Sequence, residues 1–392
     1  MLNLRSVLFS LALILLASLA AKPGRTNDLC AGSTLCVGSG QHYRTIQAAA
    51  DAVMPGQTVI VMDGSYAGFH TVHPGTATAP ITFKANSANV VINSAGDSAG
   101  DCVNIDATDY VIVEGFHVNG CRRAGIRSVL STGVIIRNNL VTEAAMWGIF
   151  TGFTPRIQIL NNRVWGTKVQ HGIYVSNSDS ADDNPVIRGN ESWGNAGAGI
   201  QLNGDCQTKD PNGHNDGVIS GALIEDNRLH DNQSKPLSLI DVQSSRIQNN
   251  LIYNNGLKNG AAAIHLASED GCENDPSSGN VIVNNTILES RIAAIRITTG
   301  THNVIFNNIA IGSRGIVDET DGPNEIDRRS NIQEGVSPAF FVNSGASDFH
   351  PAAVHGQLDA GLASFGGKSA PSVDHDGHAR PQGANFHIGA YE

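Results

Sequence analysis

The segment Val-Ile-Ile-Arg-Asn-Asn at residues 134–139 is one copy of a repeated pattern in which a short apolar strand runs into asparagine. It returns as Ile-Gln-Ile-Leu-Asn-Asn at 157–162 and as Val-Ile-Val-Asn-Asn at 281–285. Related copies end at Asn190, Asn227, Asn250 and Asn308, and Phe116 holds the same place in the first copy. The smallest spacing between copies, 23 residues, recurs, and the larger spacings are 28, 37 and 35. This pattern predicts coils of constant circumference with loops inserted at some corners.

A second strand, usually beginning Gly-Ile, lies between these asparagines. Its copies are Gly125-Ile126, Gly148-Ile149, Gly172-Ile173, Gly199-Ile200 and Gly315-Ile316, and we place Ile240, Ile264 and Ile295 in the same position without the glycine. Alternating apolar residues predict strands with one buried face, and several strands per coil predict a β-solenoid. Equivalent residues of stacked coils lie about 4.8 Å apart, so the asparagines are expected to form a structural ladder of amides. Leucine-rich repeats are the main alternative, but their leucine spacing is missing.

The start of the chain is typical of an exported protein. Arg5, the apolar stretch 7–19 and the small residue Ala20 predict a signal peptide over residues 1–20, with a membrane anchor as the alternative. No later segment is apolar enough to span a membrane. A formal charge of -11 disfavours nucleic acid as a partner, because phosphate binding relies on clustered lysine and arginine. We therefore expect a secreted or periplasmic protein that acts as a monomer.

Six cysteines fit the oxidising compartment that a signal peptide implies. We predict structural disulfides, because the spacing lacks the close pairs of zinc sites. The predicted pairs are Cys30–Cys36, Cys102–Cys121 and Cys206–Cys272.

The two ends of the repeat region are expected to be covered. A short helix over 45–53, capped by Thr45 and stopped at Pro55-Gly56, would close the first coil. We assign residues 21–333 to the solenoid with its cap, and residues 334–392, rich in Gly, Pro and His, to a closing segment.

At this point the sequence resembles a family of bacterial secreted right-handed parallel β-helix repeat proteins, which includes lyases acting on pectate, alginate and chondroitin. The resemblance rests on residues 43–50, 55–61 and 75–82, which look like the amino-terminal coil of those lyases. Residues 374–392 are similar to a module that precedes a variable surface anchor in many bacterial proteins. The resemblance implies an all-β fold, a right-handed parallel β-helix with a short N-terminal capping helix, and a sugar chain bound on the sheet that carries the Gly-Ile strands.

The outward residues of that sheet are the candidates for chemistry. Because the Ile points inward, the residue after it and the residue two before it should face out. The polar members of these columns cluster in the middle coils, and we assign catalysis to His171, Tyr174, Asp241, His265 and Arg296. We expect substrate contacts from Trp147, Gln201, Asn203, Lys168, Lys235 and Gln243.

Two long loops, 203–217 and 267–279, should border the same sheet and be tied by Cys206–Cys272. Their carboxylates offer oxygen ligands for Ca²⁺, although without the ordered spacing of a calcium loop. We assign a calcium site to Asp205, Asp216, Glu269 and Asp270, with Asp210, Glu273 and Asp275 as further acidic residues, and solvated acidic loops are the alternative.

These residue types suit β-elimination at a uronic acid, which needs a base, an acid and a cation that neutralises the carboxylate. His171, His265, Lys168 or Lys235 could be the base, Tyr174 the acid, and Arg296 or Ca²⁺ the neutralising cation. A glycoside hydrolase needs two carboxylates, and Asp241 is the one acid in the expected columns. A glycan-binding or structural protein without catalysis is the remaining alternative. The sequence leaves the glycan, the metal and the cleavage mode open.

Overall fold

A computed structural model describes residue 30 and residues 32–176, 183–258, 260, 262–272, 276–289, 291–352 and 358–392. The predicted signal peptide lies outside these residues. The chain winds through three long parallel sheets, visiting each once per coil, as the repeat predicts.

Sheet A has twelve described strands: Thr34–Val37, Thr58–Val61, Ile81–Ala85, Val111–Glu114, Ile135–Arg137, Gln158–Leu160, Val186–Arg188, Leu223–Glu225, Arg246–Gln248, Val281–Val283, Val304–Phe306 and Glu325–Ile326. Sheet B has ten: Gly64–Ala67, Val90–Ser94, His117–Asn119, Leu140–Thr142, Arg163–Trp165, Glu191–Trp193, Arg228–His230, Leu251–Tyr253, Thr286–Leu288 and Ile309–Ile311. Sheet C, which carries the Gly-Ile strands, also has ten: Phe69–His70, Val103–Asp106, Ala124–Val129, Trp147–Gly152, Ile173–Ser176, Ile200–Asn203, Leu237–Ile240, Ala262–Ala267, Ala293–Ile297 and Ile316–Asp318. A short parallel pair, Ile219–Ser220 with Val242–Gln243, follows sheet C.

Inward residues from all three sheets fill the centre of each coil. In a typical coil they include Ile126, Ile136 and Val141, all of them fully buried. Burying such a side chain contributes about 1.5–3 kcal/mol, so the stacked aliphatic columns supply most of the stability. The alternation in the repeat is therefore the pattern of this core.

The predicted asparagine ladder is confirmed. Asn139 donates its backbone N–H and its side-chain amide to Oδ1 of Asn162, both at 3.0 Å, and the contact repeats in later coils through Asn331. Phe116 donates its N–H to Asn139 in the same way. From Asn139 to Asn308 the residue before each ladder position has a positive φ, which asparagine and glycine tolerate, and this explains the Asn-Asn doublets.

Two further ladders were not predicted. One joins Asn195, Asn232 and Asn255 and ends at Glu289, and the other joins Asn280, Asn303 and Asn324. Their members lie at other corners of the coil, where the sequence spacing is less regular.

The disulfides are as predicted, and the predicted amino-terminal cap is present but its helix is shorter than the predicted 45–53. The helix Ile46–Ala50 begins at Thr45, whose side chain accepts a hydrogen bond from the Ala48 N–H at 3.1 Å. The three predicted disulfides, Cys30–Cys36, Cys102–Cys121 and Cys206–Cys272, are all formed.

The carboxyl-terminal segment packs along the sides of the last coils. It contains the 3-10 helices Pro338–Phe340, Ser344–Ala346 and Leu358–Ala360, the hairpin Phe341–Asn343 with Asp348–Pro351, and the hairpin Ser364–Phe365 with Lys368–Ser369. Phe349 and Tyr391 cover sheet B, and Phe365 covers sheet A. The outward residues of sheets A and B are apolar in these coils, so they need this cover.

Candidate functional site

The outer face of sheet C carries two columns of side chains that neighbouring strands bring side by side. The first column contains Arg127, Phe150, Tyr174, Gln201, Ser238, His265, Arg296 and Val317. The second column lies three residues earlier, at or just before the start of each strand, and contains Trp147, His171 and Lys235 among small residues. We call the region from Trp147 to Arg296 the groove face.

The prediction that Asp241 belongs to this face is wrong. Leu237, and not Ile240, pairs with Ile200 and Ile264, so the register of this coil differs by three residues from the predicted one. Asp241 lies in the turn after the strand with φ 55° and is fully buried. Pro236-Leu237 stands where other coils have Gly-Ile, and aligning it there would have found the correct residue, Ser238.

Three neighbouring side chains of the first column have polar atoms without a hydrogen-bond partner among the described residues. These atoms are Oγ of Ser238, Nδ1 of His265 and Nε of Arg296. Ser238 is fully buried and His265 is 7% exposed, while Arg296 uses Nη2 to donate to Glu319 at 2.7 Å. Buried polar groups without partners are costly, so a row of them on consecutive strands is typical of a site that a ligand completes.

The groove face combines uncharged histidines with two cations. Burial and the nearby Lys235 ammonium lower the pKa of His171 to about 4. Burial, Lys235 and Arg296 lower the pKa of His265 to about 4 as well. Burial and Arg296 lower the pKa of Lys235, which has no carboxylate partner among the described residues. The face is therefore suited to an anion and holds an amine whose pKa is below that of an ordinary lysine.

The orientation of His171 restricts its chemistry. The Ala198 N–H donates to Nδ1 of His171 at 2.9 Å, so the neutral ring carries its proton on Nε2. His171 can then donate a hydrogen bond but cannot readily accept a proton. Its ring lies edge-on to Tyr174, with the ring centroids 5.1 Å apart.

An aromatic cluster forms the other end of the groove face. Trp147 and Phe150 pack at 4.7 Å between ring centroids, and Phe150 meets Tyr174 at 5.5 Å. All three rings are half-buried, so each keeps an accessible part. Aromatic rings of this kind can pack on the apolar face of a sugar.

Carboxylates from the two tied loops lie beside Tyr174. The amide of Asn203 donates to the Tyr174 hydroxyl at 3.4 Å and also hydrogen-bonds Glu269. Burial raises the pKa of Glu269; the bond from Asn203 opposes this, and Asp205 and Asp270 add to it. The negative charges of the loops thus concentrate near the aromatic end.

The predicted calcium residues come together only in part. Oxygens of Asp241 and Glu269 lie within 4.8 Å of each other and of Cys272 Sγ, but that sulfur belongs to a disulfide. Carboxylate oxygens are the ligands that Ca²⁺ takes, so the donor chemistry fits. Asp216 and Asp270 are exposed, and Asp216 accepts a bond from the Val218 N–H.

The remaining predicted residues lie apart from the groove face. Lys168 is exposed and forms an ion pair with Glu143 in the turn after sheet B. Gln243, in the short strand Val242–Gln243 that follows sheet C, donates to the Pro276 carbonyl at 3.3 Å. Glu273 and Asp275 lie outside the described residues.

Comparisons with known families agree with this architecture. Residues 51–210 match the family described as periplasmic copper-binding protein NosD, and residues 183–351 match the family described as right-handed beta helix region. The chain is a right-handed β-helix protein. Within the part of this β-helix protein that the structure describes, no helix has the length and apolar content needed to cross a membrane.

Several solved structures are similar to this β-helix protein. An alginate lyase from Paenibacillus sp. str. FPU-7 shares 17% identity with a TM-score of 0.48, over 75% of this chain and 98% of that one. Pectate lyase Pel9A shares 14% identity with a TM-score of 0.44, over 88% and 83%. The A-module of the Azotobacter vinelandii mannuronan C-5 epimerase AlgE6 shares 15% identity with a TM-score of 0.41, over 74% and 95%. These values say nothing about the reaction of this chain, and no curated protein sequence matches it.

Proposed function

We propose that this β-helix protein is an exported polysaccharide lyase that cleaves an acidic glycan by β-elimination on the groove face. The observation that carries the proposal is the row Ser238, His265 and Arg296, each with an unpartnered polar atom, beside the uncompensated Lys235. The cations of Arg296 and Lys235 suit the carboxylate of a uronic acid, while the unpartnered atoms of Ser238 and His265 lie buried beneath the face.

The reaction would use three residues in separate roles. Lys235, as the neutral amine, removes the proton from C5 of the uronate, and Arg296, four strands from Tyr174, would bind the carboxylate of a uronate further along the glycan. The electron pair of that C–H bond forms the double bond between C4 and C5, and the bond from C4 to the glycosidic oxygen breaks. Tyr174 donates its hydroxyl proton to the leaving oxygen. Asn203 donates to Tyr174, which leaves the tyrosine proton free for this transfer.

Lys235 is the preferred base among the four residues considered. Its lowered pKa increases the fraction of neutral amine near neutral pH. His171 already accepts a backbone hydrogen bond at Nδ1, and Lys168 is paired with Glu143 away from the groove face. His265, next to Ser238, is better suited to bind a sugar hydroxyl.

Calcium is a further part of the proposal. Glu269 and Asp241, with Asp205 nearby, would hold the ion at the edge of the groove face. Bound there, Ca²⁺ would supply an additional positive charge for a substrate carboxylate. A shift in thermal stability on adding Ca²⁺, lost in Glu269→Gln, would support this site independently of activity.

A glycoside hydrolase is the second candidate, and Glu269 favours it. Its raised pKa lets it stay protonated at higher pH than an ordinary glutamate, as a general acid requires, and Asp205 supplies a second carboxylate. A glycan-binding protein without catalysis would use the same groove face.

The deciding experiment follows the ultraviolet absorbance of the unsaturated product during incubation with alginate, pectate and chondroitin, with and without Ca²⁺. We expect a rise that falls by about 10²-fold or more in Lys235→Ala, as for loss of a general base. Lys168→Ala removes an exposed lysine elsewhere and should leave the rate unchanged. New reducing ends without absorbance would establish hydrolysis, and binding without either product would establish a binding protein.

A further inference from the structure

The groove face is longer along the axis of the β-helix than across it. Six neighbouring strands, from Trp147–Gly152 to Ala293–Ile297, span about 24 Å along the axis at about 4.8 Å per strand. Across the face the strands have four to six residues, which is at most about 20 Å. The two outward columns also run along the axis. An extended glycan therefore passes from coil to coil, and its chain can lie in either of two directions.

The proposed acid and base belong to different coils. Lys235 lies three residues before Ser238, whose strand is two places from the strand of Tyr174, or about 10 Å along the axis. The strand between them presents the small residue Ala198 in the second column. One sugar ring therefore has room above that strand, where the longer side chains of Tyr174 and Lys235 can approach it from opposite sides.

The chemistry of elimination fixes the order of acid and base along the substrate. In a glycan linked through O4 of its uronates, C4 of the cleaved uronate carries the sugar on the non-reducing side, and C1 carries the sugar on the reducing side. The acid protonates the oxygen on C4, whereas the base takes the proton from C5, which lies between C4 and the ring oxygen. The acid therefore lies on the non-reducing side of the base.

We propose that the bound glycan lies with its non-reducing side on the aromatic cluster and its reducing side toward Arg296. This inference rests on the proposed function and gives its substrate a direction. Trp147, one strand beyond Tyr174, then contacts a sugar on the non-reducing side of the cleaved bond. Arg296, two strands beyond Ser238, then binds a carboxylate on the reducing side. These two residues determine the lengths of the fragments that are released.

The side chains at the two ends are suited to these contacts. Trp147 is half-buried and packs on Phe150, which leaves part of its ring for the apolar face of a sugar. Glu319 accepts a hydrogen bond from Nη2 of Arg296 at 2.7 Å, and no hydrogen bond among the described residues uses Nη1. The Arg296 side chain is 27% exposed, so its guanidinium can also donate to a substrate carboxylate.

The test sizes the fragments released from octasaccharides that carry a fluorescent label at the reducing end. The probes are oligomannuronate, oligogalacturonate and unsulfated chondroitin, sampled early in the reaction. Arg296→Gln removes an anchor on the reducing side, so the ratio of labelled fragments of one or two sugars to longer ones should rise about tenfold, as for loss of a charged hydrogen bond. Arg296→Lys keeps the charge and should restore most of the wild-type ratio.

Two further variants complete the test. Trp147→Ala removes an anchor on the non-reducing side and should shift the labelled fragments of the two homopolymers toward greater length, by about threefold or more. This variant tests the direction of the chain independently of Arg296. Arg163→Gln is the matched control and should change nothing, because Arg163 is also paired with a glutamate, Glu191, but lies on a strand of sheet B.

The outcomes separate the direction of the chain from the reaction itself. Longer labelled fragments with Arg296→Gln, shorter ones with Trp147→Ala, or unchanged ratios in both would overturn the inference and leave the lyase proposal standing. Absence of unsaturated product from all three wild-type digests would overturn both. A ratio of products does not depend on the amount of folded enzyme, so a loss of stability in a variant cannot imitate a shift.

Discussion

Glu289 ends an asparagine ladder, and its replacement by glutamine should stabilise the protein at neutral and alkaline pH. The side chain is 4% exposed and accepts the Asn255 N–H at 2.9 and 3.1 Å and the Asn255 amide at 2.8 Å. Burial, opposed by these bonds, raises the pKa of Glu289 to about 7 from 4.5. A glutamine oxygen can accept the same bonds, as the asparagine oxygens do elsewhere in the ladder.

The magnitude follows from linkage between protonation and folding. The folded protein binds the proton more tightly than the unfolded chain, so wild-type stability falls as pH rises from about 4.5 to about 7. The full loss of wild-type stability is about 3 kcal/mol, which is the difference between the folded and unfolded pKa of Glu289 multiplied by about 1.4 kcal/mol per pKa unit. Glu289→Gln removes this loss, so the two proteins should be equally stable near pH 4 and should differ by up to about 3 kcal/mol near pH 8.

Urea denaturation of both proteins across this pH range measures the difference. Glu334→Gln changes an exposed glutamate and should show no such pH-dependent gain. A variant that is less stable than wild type at pH 8, or a gain independent of pH, would refute the reasoning.

Three other perturbations test the ladder, the carboxyl-terminal segment and the proposed base. Asn250→Ala leaves the N–H and amide of Asn227 without their acceptor and should cost about 2–4 kcal/mol in urea denaturation; a cost below about 0.5 kcal/mol would mean that the ladder contributes little. Burial lowers the pKa of His350, but the hydrogen bonds between its ring and two aspartates outweigh burial and raise that pKa. The stabilisation that these bonds provide is therefore complete at acid pH and is lost as pH rises through the raised pKa. His350→Gln should remove that slope from the melting temperature, and an unchanged slope would contradict this. Arg296→Gln should move the ascending limb of kcat/KM to higher pH, because Arg296 helps lower the pKa of Lys235; an unmoved limb would exclude Lys235 as the base.

Local patterns predicted most of the fold because each coil repeats the same physical requirements. The alternating apolar residues of 134–139 and 157–162 are the inward columns, and Asn139 and Asn162 are the ladder. Thr45 could be read as a helix cap from its neighbours alone. These features depend on contacts between equivalent residues of adjacent coils, so residues that repeat in the sequence are neighbours in the structure.

The groove face was predicted less completely, because it depends on register in one irregular coil. Pro236-Leu237 broke the Gly-Ile pattern, so Asp241 was placed on the face and Ser238 was missed. Lys235 was among the predicted substrate contacts, but its effect on the pKa of both His171 and His265 follows only from the tertiary structure.

The sequence by itself determined the winding of the chain, the buried columns, the main ladder and the cysteine pairs. The winding, the columns and the ladder follow from periodicity, which sets which side of each strand faces the core, and the cysteine pairs follow from nearness in sequence or from neighbouring coils and loops. Only the tertiary structure decided which polar side chains are left without partners, which tautomer His171 holds, and where the loop carboxylates lie relative to Tyr174. Those properties depend on distances between groups from different coils and loops. Because the inserted loops vary in length, no fixed spacing along the chain predicts which of these groups come together.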